Sequence, residues 1–310
     1  MAWILLATLG QFISAIVAIL DKYIVSDATA MPKPFLYAFY SCILTGGWAV
    51  IFALGYIPGL QDIGFPHLKN LQMPSLTVVA LAFLAAYTFF MALVSMYSAL
   101  RESEAVNVMP VIGAISALMS FGFSWLFLDS GFSLNLLWGV LVLALGTMMV
   151  AQGLPDWDAT LHVFHSGLFF ALHYVTMKGL FLETSFDDGF FWSRLAFVLF
   201  ALSWLLVPMN LRKLKEQAKV TTRRTSILVI FTKILAGVSA FLILKATDMG
   251  DVAVVQALDG VKFVFILLIT IFFAAWLPDS AAVHEPRPHE VMRRVLYVTL
   301  IMVGYFILFL

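Results

Sequence analysis

The sequence predicts an all-α membrane protein: ten transmembrane helices arranged as two inverted five-helix repeats. Three observations carry this. The chain of 310 residues is 62% hydrophobic and only 12% charged, with a mean hydropathy of +0.99. A soluble domain averages about 45–50% apolar and 25% charged residues. The apolar residues fall in continuous runs of roughly 20, enough for a helix to cross the hydrocarbon core, and not in the short alternating stretches of a barrel. Finally, the runs of the first half match those of the second in order.

Bounded by turn and charge signals, the runs cover residues 2–21, 35–55, 74–97, 104–128, 133–152, 161–182, 188–208, 226–247, 251–277 and 291–310. The first, MAWILLATLGQFISAIVAIL, lacks the basic start of a signal peptide and is too long for its apolar core, so it reads as a retained span. Most connections are short; the longest are Tyr56–Met73, Met209–Thr225 and Pro278–Glu290. Formal net charge is zero, so no basic surplus points to nucleic acid. The single Cys42 excludes an intrachain disulfide and a Cys-based zinc site, and reads as a small core hydrophobe.

The internal match is specific in four places. Trp138–Thr147 and Leu296–Tyr305 close the two halves, with Gly146 opposite Gly304. Lys22 closes the first span and Lys178 sits near the end of the sixth. Arg101–Ile115 aligns without a gap on Asp248–Lys262, pairing Glu104 with Asp251 and Gly113 with Gly260. The domains are therefore a first repeat over 1–152, a linker over 153–160 (GLPDWDAT) and a second repeat over 161–310. Five is odd, so the second copy inserts upside-down. Inverted repeats mark transporters, whose sites lie near midplane where the repeats meet.

The ninth span holds the strongest candidate site. It carries Gln256, Asp259 and Lys262 deep within its length, spaced by nearly a turn on one helical face. A charge near the bilayer centre costs about 3 kcal/mol on insertion scales, so such groups face protein or water. The competing reading is a self-neutralising Asp259–Lys262 pair that glues helices. The fourth span, its counterpart, offers Asn107 and Pro110 and then a small-residue face of Gly113, Ala114, Ala117 and Ser120, which serves helix packing or borders a cavity. Lys233 in the eighth span and Arg194 in the seventh add charge, unless their long stems carry the heads to the interface.

Counted together, these are three buried cations against one anion, which points to a ligand bearing a carboxylate or phosphate. Asp259 and His173 are the candidates for coupling a proton, with a satisfied core residue the plainer reading of His173. Lys22 and Lys178 read first as headgroup anchors; Lys178 and Arg194 are also candidates for a gate or the interface between halves. Tyr87, Thr88, Ser95, Tyr97 and Ser98 make the third span polar; they line a cavity or bond their own helix backbone.

Two stretches resemble the drug/metabolite transporter superfamily, specifically its ten-span EamA-type members. One is Tyr97–Pro110, YSALRESEAVNVMP, where a helix begins after a short polar turn and contains proline. The other is Phe127–Thr147, FLDSGFSLNLLWGVLVLALGT, similar to the family's acidic turn followed by a glycine-spaced helix, with Asp129 in place of the usual glutamate. No acidic residue clearly takes that place after Leu277, where the loop is longer. The resemblance implies a central cavity between the halves and a metabolite as cargo, without naming it.

The expected function is a secondary active transporter of a small metabolite, working by alternating access in the cell membrane as a multi-pass protein. The alternatives are a non-transporting membrane scaffold and an intramembrane lipid-modifying enzyme. An enzyme is not expected, because no clustered His/Asp or Ser/His set and no HExxH metal motif is present. No cofactor or metal is expected, and the absence of a phosphate loop argues against ATP-driven transport. The expected partners are membrane lipid, an anionic or zwitterionic small molecule and, as an open alternative, a second copy in a homodimer. Orientation is divided: basic residues such as Arg212, Lys213, Lys215, Arg223 and Arg224 concentrate on one side, placing both termini outside the cytoplasm, whereas the family resemblance places them inside.

Overall fold

With no water in a bilayer to serve exposed amides, each spanning segment must satisfy its own backbone, and the chain does so as helix. The computed structural model describes residues 2–26, 33–57, 66–103, 105–128, 134–151, 157–272, 296–297, 299–301, 303–304 and 307, and no strand occurs among them. Its helices are α1 Ala2–Ser26, α2 Pro34–Gly46, α3 Ile51–Leu54, α4 Leu76–Glu102, α5 Ala105–Phe127, α6 Leu134–Val150, α7 Trp157–Glu183, α8 Phe186–Ser203, α9 Pro208–Val220, α10 Arg223–Met249, α11 Val252–Ala257 and α12 Asp259–Phe272. A 3-10 turn, Gly47–Val50, joins α2 to α3.

Among the described residues, six segments are long and apolar enough to cross a membrane: Ala2–Val25, Pro34–Leu54, Leu76–Glu102, Asn107–Phe127, Phe186–Leu206 and Arg223–Met249. This is an all-helical, multi-pass membrane protein. Leu134–Met149 is apolar but shorter. Helix α7 matches α4 and α10 in length and is more polar than α4, carrying Asp158, His162, His165, His173, Lys178 and Glu183.

Two expectations change, and a third lies outside the described residues. The connection Met209–Thr225 is largely helix α9, with a proline in its first turn. Leu211 and Leu214 are half-buried while Arg212, Lys213 and Lys215 are exposed, the pattern of a helix lying on a boundary. The ninth span is not one continuous helix. At Leu258 the ladder tightens, with the Val261 N–H donating to the Leu258 carbonyl at 3.0 Å, three residues back. Asp251 caps the short α11 so produced, accepting from the amides of Ala253 (2.7 Å) and Val254 (3.2 Å). Most of the expected tenth span, residues 291–310, and the loop Pro278–Glu290 lie outside the described residues.

The most extensive packing is between α4 and α7 and between α1 and α10. Each seam carries a side-chain bond to the partner's backbone: Ser166 Oγ donates to the Ala92 carbonyl at 3.1 Å, and Ser239 Oγ to the Gly10 carbonyl at 2.8 Å. Two lysines cap neighbouring helices. Lys22 Nζ donates to the carbonyls of Leu100 (3.0 Å) and Ser103 (3.3 Å) at the end of α4. Lys178 Nζ donates to those of Thr247 (2.9 Å), Asp248 (2.8 Å) and Gly250 (3.0 Å) at the end of α10. Instead of anchoring headgroups, both fill the unsatisfied C-terminal carbonyls that every helix leaves. Two glycines allow a close crossing: a Cβ on Gly146 would stand 3.0 Å from the Ile301 backbone, and one on Gly304 2.7 Å from that of Leu143.

Candidate functional site

Helices α1, α2, α4, α5, α7, α10, α11 and α12 surround a cavity of about 150 Å³. Its walls are mainly apolar and aromatic, and four charged residues line it: Asp21, Lys233, Asp259 and Lys262. Gln256, Ser14, Ser41, Thr45, Tyr97, Ser116, Tyr174 and Ser239 add polar groups.

The charges form two pairs. In the first, Lys233 Nζ of α10 meets Asp21 Oδ1 of α1 at 2.8 Å, and the two side chains are 3% and 7% exposed. Antiparallel packing brings them level, since α1 runs against α10 from Trp3 beside Gly250, through Gly10 beside Ser239, to Asp21 beside Lys233. Two tyrosines complete the cluster. The Tyr37 hydroxyl of α2 donates to Asp21 Oδ1. The Tyr97 hydroxyl of α4 accepts from Lys233 Nζ at 2.9 Å and reaches Asp21 Oδ2 at 3.4 Å, with Ser41 Oγ 3.2 Å away. The Lys233 ammonium also lies over the Tyr37 ring, 4.2 Å from its centroid. Four helices thus meet on one carboxylate and one ammonium.

The second pair is local. Lys262 Nζ donates to both oxygens of Asp259, at 2.7 and 2.9 Å, across a single turn of α12. Its approach to α5 depends on Gly113: a Cβ there would stand 2.8 Å from Asp259 Oδ2 and 3.2 Å from the Phe263 ring. Gln256, across the Leu258 break, still lines the same cavity.

Of the residues singled out in the sequence, Gln256, Asp259, Lys262 and Lys233 therefore come together. Asn107, near the start of α5, is not part of the lining. His173 is buried with Nδ1 3.0 Å from the Ala85 carbonyl, which makes that nitrogen the donor, and its ring packs against Phe89, Tyr174 and Phe197. It lies outside the lining, so a proton on it has no direct route to a ligand there. Lys178 serves α10 as described. Arg194 does not reach toward the interface. It is 1% exposed, and its guanidinium is held over Phe190 (4.7 Å) and Phe197 (4.4 Å), with Nε and Nη2 lacking acceptors among the described residues.

The surplus of buried positive charge read from the sequence is thereby corrected. Asp21 balances Lys233, Asp259 balances Lys262, and Arg194 is elsewhere, so the lining is neutral. Asp21 was hidden because it precedes Lys22 at the apparent end of the first apolar run. The signal that could have exposed it is the apolar continuation Tyr23–Val25, which carries α1 on to Ser26 and leaves Asp21 more than a turn inside. In the third span both readings hold by position: Thr88 and Ser98 bond backward to Leu84 and Val94, while Tyr97 faces the cavity.

No family model matches this chain, and no curated protein matches it. Its fold is similar to that of a solved structure described as "Crystal structure of protein", at 17% sequence identity with a TM-score of 0.63 over 98% of each chain.

Proposed function

We propose that the protein is a secondary active transporter of a small charged metabolite, built from two inverted repeats of the drug/metabolite type and working by alternating access. The observation that carries this is one cavity lined by two Asp–Lys pairs, one buried and one half-buried, drawn from helices of both sequence halves. A scaffold gains nothing from such a cavity, since replacing buried ion pairs by apolar side chains is often neutral or stabilising.

Several contacts support the repeat. Lys22 pairs with Lys178, and the alignment of Arg101 on Asp248 pairs Leu100 and Ser103 with Thr247 and Gly250; these are the carbonyls that the two lysines hold. Gly10 and Ala92 pair with Ser166 and Ser239, so the two seam bonds are counterparts. Gly146 meets Ile301 as Gly304 meets Leu143. A two-fold relation between halves generates all three coincidences.

The same pairing suggests the gates. Asp21, Tyr97 and Lys233 correspond to Met177, Leu244 and Ala86, which are buried in an apolar cluster with Phe181, Phe186 and Phe190. On this reading the hydrogen-bonded ion pair forms the gate on the side of α9, and the aromatic cluster forms its counterpart. Asp259 remains the proton-coupling candidate, because it lines the cavity and His173 does not.

The test is counterflow in proteoliposomes with a panel of amino acids, carboxylates and phosphate esters. Saturable flux is expected, lost in Lys262→Ala and weakened in Asp259→Asn. Absence of saturable flux for the whole panel with well-folded protein refutes transport. Normal flux in the double variant Asp259→Asn, Lys262→Met makes that pair structural glue instead.

A further inference from the structure

The two ion pairs differ in what they leave unused, and we infer from this that the cavity takes a small zwitterion, its ammonium and carboxylate seated together on Asp259 and Lys262. The inference rests on the transport reading and assigns the substrate class of that site.

An ammonium has three N–H donors, and a carboxylate about four lone-pair directions. At the first pair the ammonium is fully engaged and the carboxylate has three partners. Lys233 gives one N–H to Asp21 and one to Tyr97, and its remaining side lies over the Tyr37 ring. Asp21 in turn receives Lys233, Tyr37 and Tyr97. A ligand carboxylate could reach the Lys233 ammonium only by displacing an existing partner.

At the second pair, Lys262 gives two N–H groups to Asp259 and has no other oxygen acceptor among the described residues. One donor is left over, and each oxygen of Asp259 retains a lone pair. Beside them Ser116 lines the cavity, and its buried Oγ lacks a hydrogen-bond partner among the described residues. It lies one turn along α5 from Gly113, the residue that touches Asp259. An orphan hydroxyl in a buried wall is costly unless something else satisfies it. The vacant set is thus an N–H of Lys262 and the O–H of Ser116 for a carboxylate, and the Asp259 oxygens for an ammonium.

Charge conservation selects the class. The lining is neutral, so a zwitterion leaves it neutral, whereas a lone anion or cation adds an unpaired charge within apolar walls. The remaining wall includes Phe89, Leu93, Ile112 and Phe170, which favours a partly apolar side chain on the ligand. Size follows from volume: about 150 Å³ is also the size of an apolar cavity that accepts benzene, which limits the cargo to roughly ten heavy atoms or fewer.

The test uses L-alanine, L-valine and L-leucine against the two halves of valine's chemistry, isobutyrate and isobutylamine. Thermal stabilisation of the purified protein and flux into proteoliposomes are measured for each. At least one amino acid is expected to raise the melting temperature and to be transported, with neither isobutyrate nor isobutylamine doing so at equal concentration. Ser116→Ala is expected to weaken that amino acid about tenfold with the fold retained, the loss of one charge-assisted hydrogen bond. The inference is overturned if isobutyrate or isobutylamine stabilises as well as the amino acids, or if none of the three amino acids produces a shift. Flux of isobutyrate without amino-acid flux retires the zwitterion and keeps transport. Amino-acid stabilisation without any flux keeps the site and retires transport.

Discussion

Asp21→Asn tests whether the ion pair near α9 is a lock or only a strut. At 2.8 Å and an effective dielectric of about 20, the Coulomb attraction between Lys233 and Asp21 is about 6 kcal/mol before desolvation. The amide keeps the Tyr37 contact and removes the counter-charge, stranding a buried ammonium beside the Tyr97 hydroxyl. Removing one partner of a buried pair typically costs 3–5 kcal/mol. At about 2 °C per kcal/mol for a chain of this size, the melting temperature should fall by about 6–10 °C. The double variant Asp21→Asn, Lys233→Met removes the stranded charge and should recover most of that loss. If the pair also holds the gate shut, both variants should expose the cavity to the α9 side. A cysteine at Ala240, which lines the cavity, placed in a Cys42→Ser background, reports this through its reaction rate with an impermeant thiol reagent. Each factor of ten corresponds to about 1.4 kcal/mol, so a lock worth more than twice that should give a rise of about a hundredfold or more. Reasoning from the gate is refuted if the single variant destabilises as calculated while the labelling rate stays unchanged. Reasoning from the pair is refuted if the single and double variants melt alike.

Three further outcomes follow from contacts described above. Gly113→Ala places a Cβ against Asp259 Oδ2 and the Phe263 ring, so overpacking should cost about 1–3 kcal/mol by thermal melting and depress flux through displacement of Asp259; unchanged flux would separate Asp259 from the substrate path. Lys178→Met withdraws the donor from three carbonyls at the end of α10 and should lower stability by about 2 kcal/mol, with Lys22→Met acting in the same direction at α4. Lys215→Cys on the exposed face of α9 should resist an impermeant reagent in intact cells if the basic side faces the cytoplasm, and reaction there would favour the orientation implied by the family resemblance.

The helical class and the positions of most spans are legible because both follow from local composition and run length. Gln256, Asp259 and Lys262 stand out for a related reason, since ionisable groups within an apolar run have no ordinary explanation. Asp21 and Tyr97 are different. Each sits near a span end, where polar residues are common, and only the antiparallel register of α1 against α10 turns Asp21 into the partner of Lys233. Ser116 is equally silent, because a serine in a helix normally bonds its own backbone and nothing local marks the exception. The break at Leu258 escapes for another reason: no proline or glycine occupies that position, and the tightening arises where α11 and α12 pack against α5 and α6. Helix α9 was obscured by its charge, which reads as a loop until Leu211 and Leu214 are seen to share one side.

The seams between α4 and α7 and between α1 and α10 have a consequence for how this chain comes into being. Each seam joins a helix made early in synthesis to one made late, so the richest packing is deferred until translation has passed the middle. A ribosome that has released only α1–α6 has produced a set of helices whose best neighbours do not yet exist. Ala92 and Gly10 then hold out carbonyls to hydroxyls not yet made, and the end of α4 is capped while that of α10 is still unwritten. Cutting the gene within residues 153–160 should therefore yield two fragments that are each short-lived alone and persist when co-expressed, interleaving as one body. The two halves of the chain are in this sense not separable: each supplies the other's missing core.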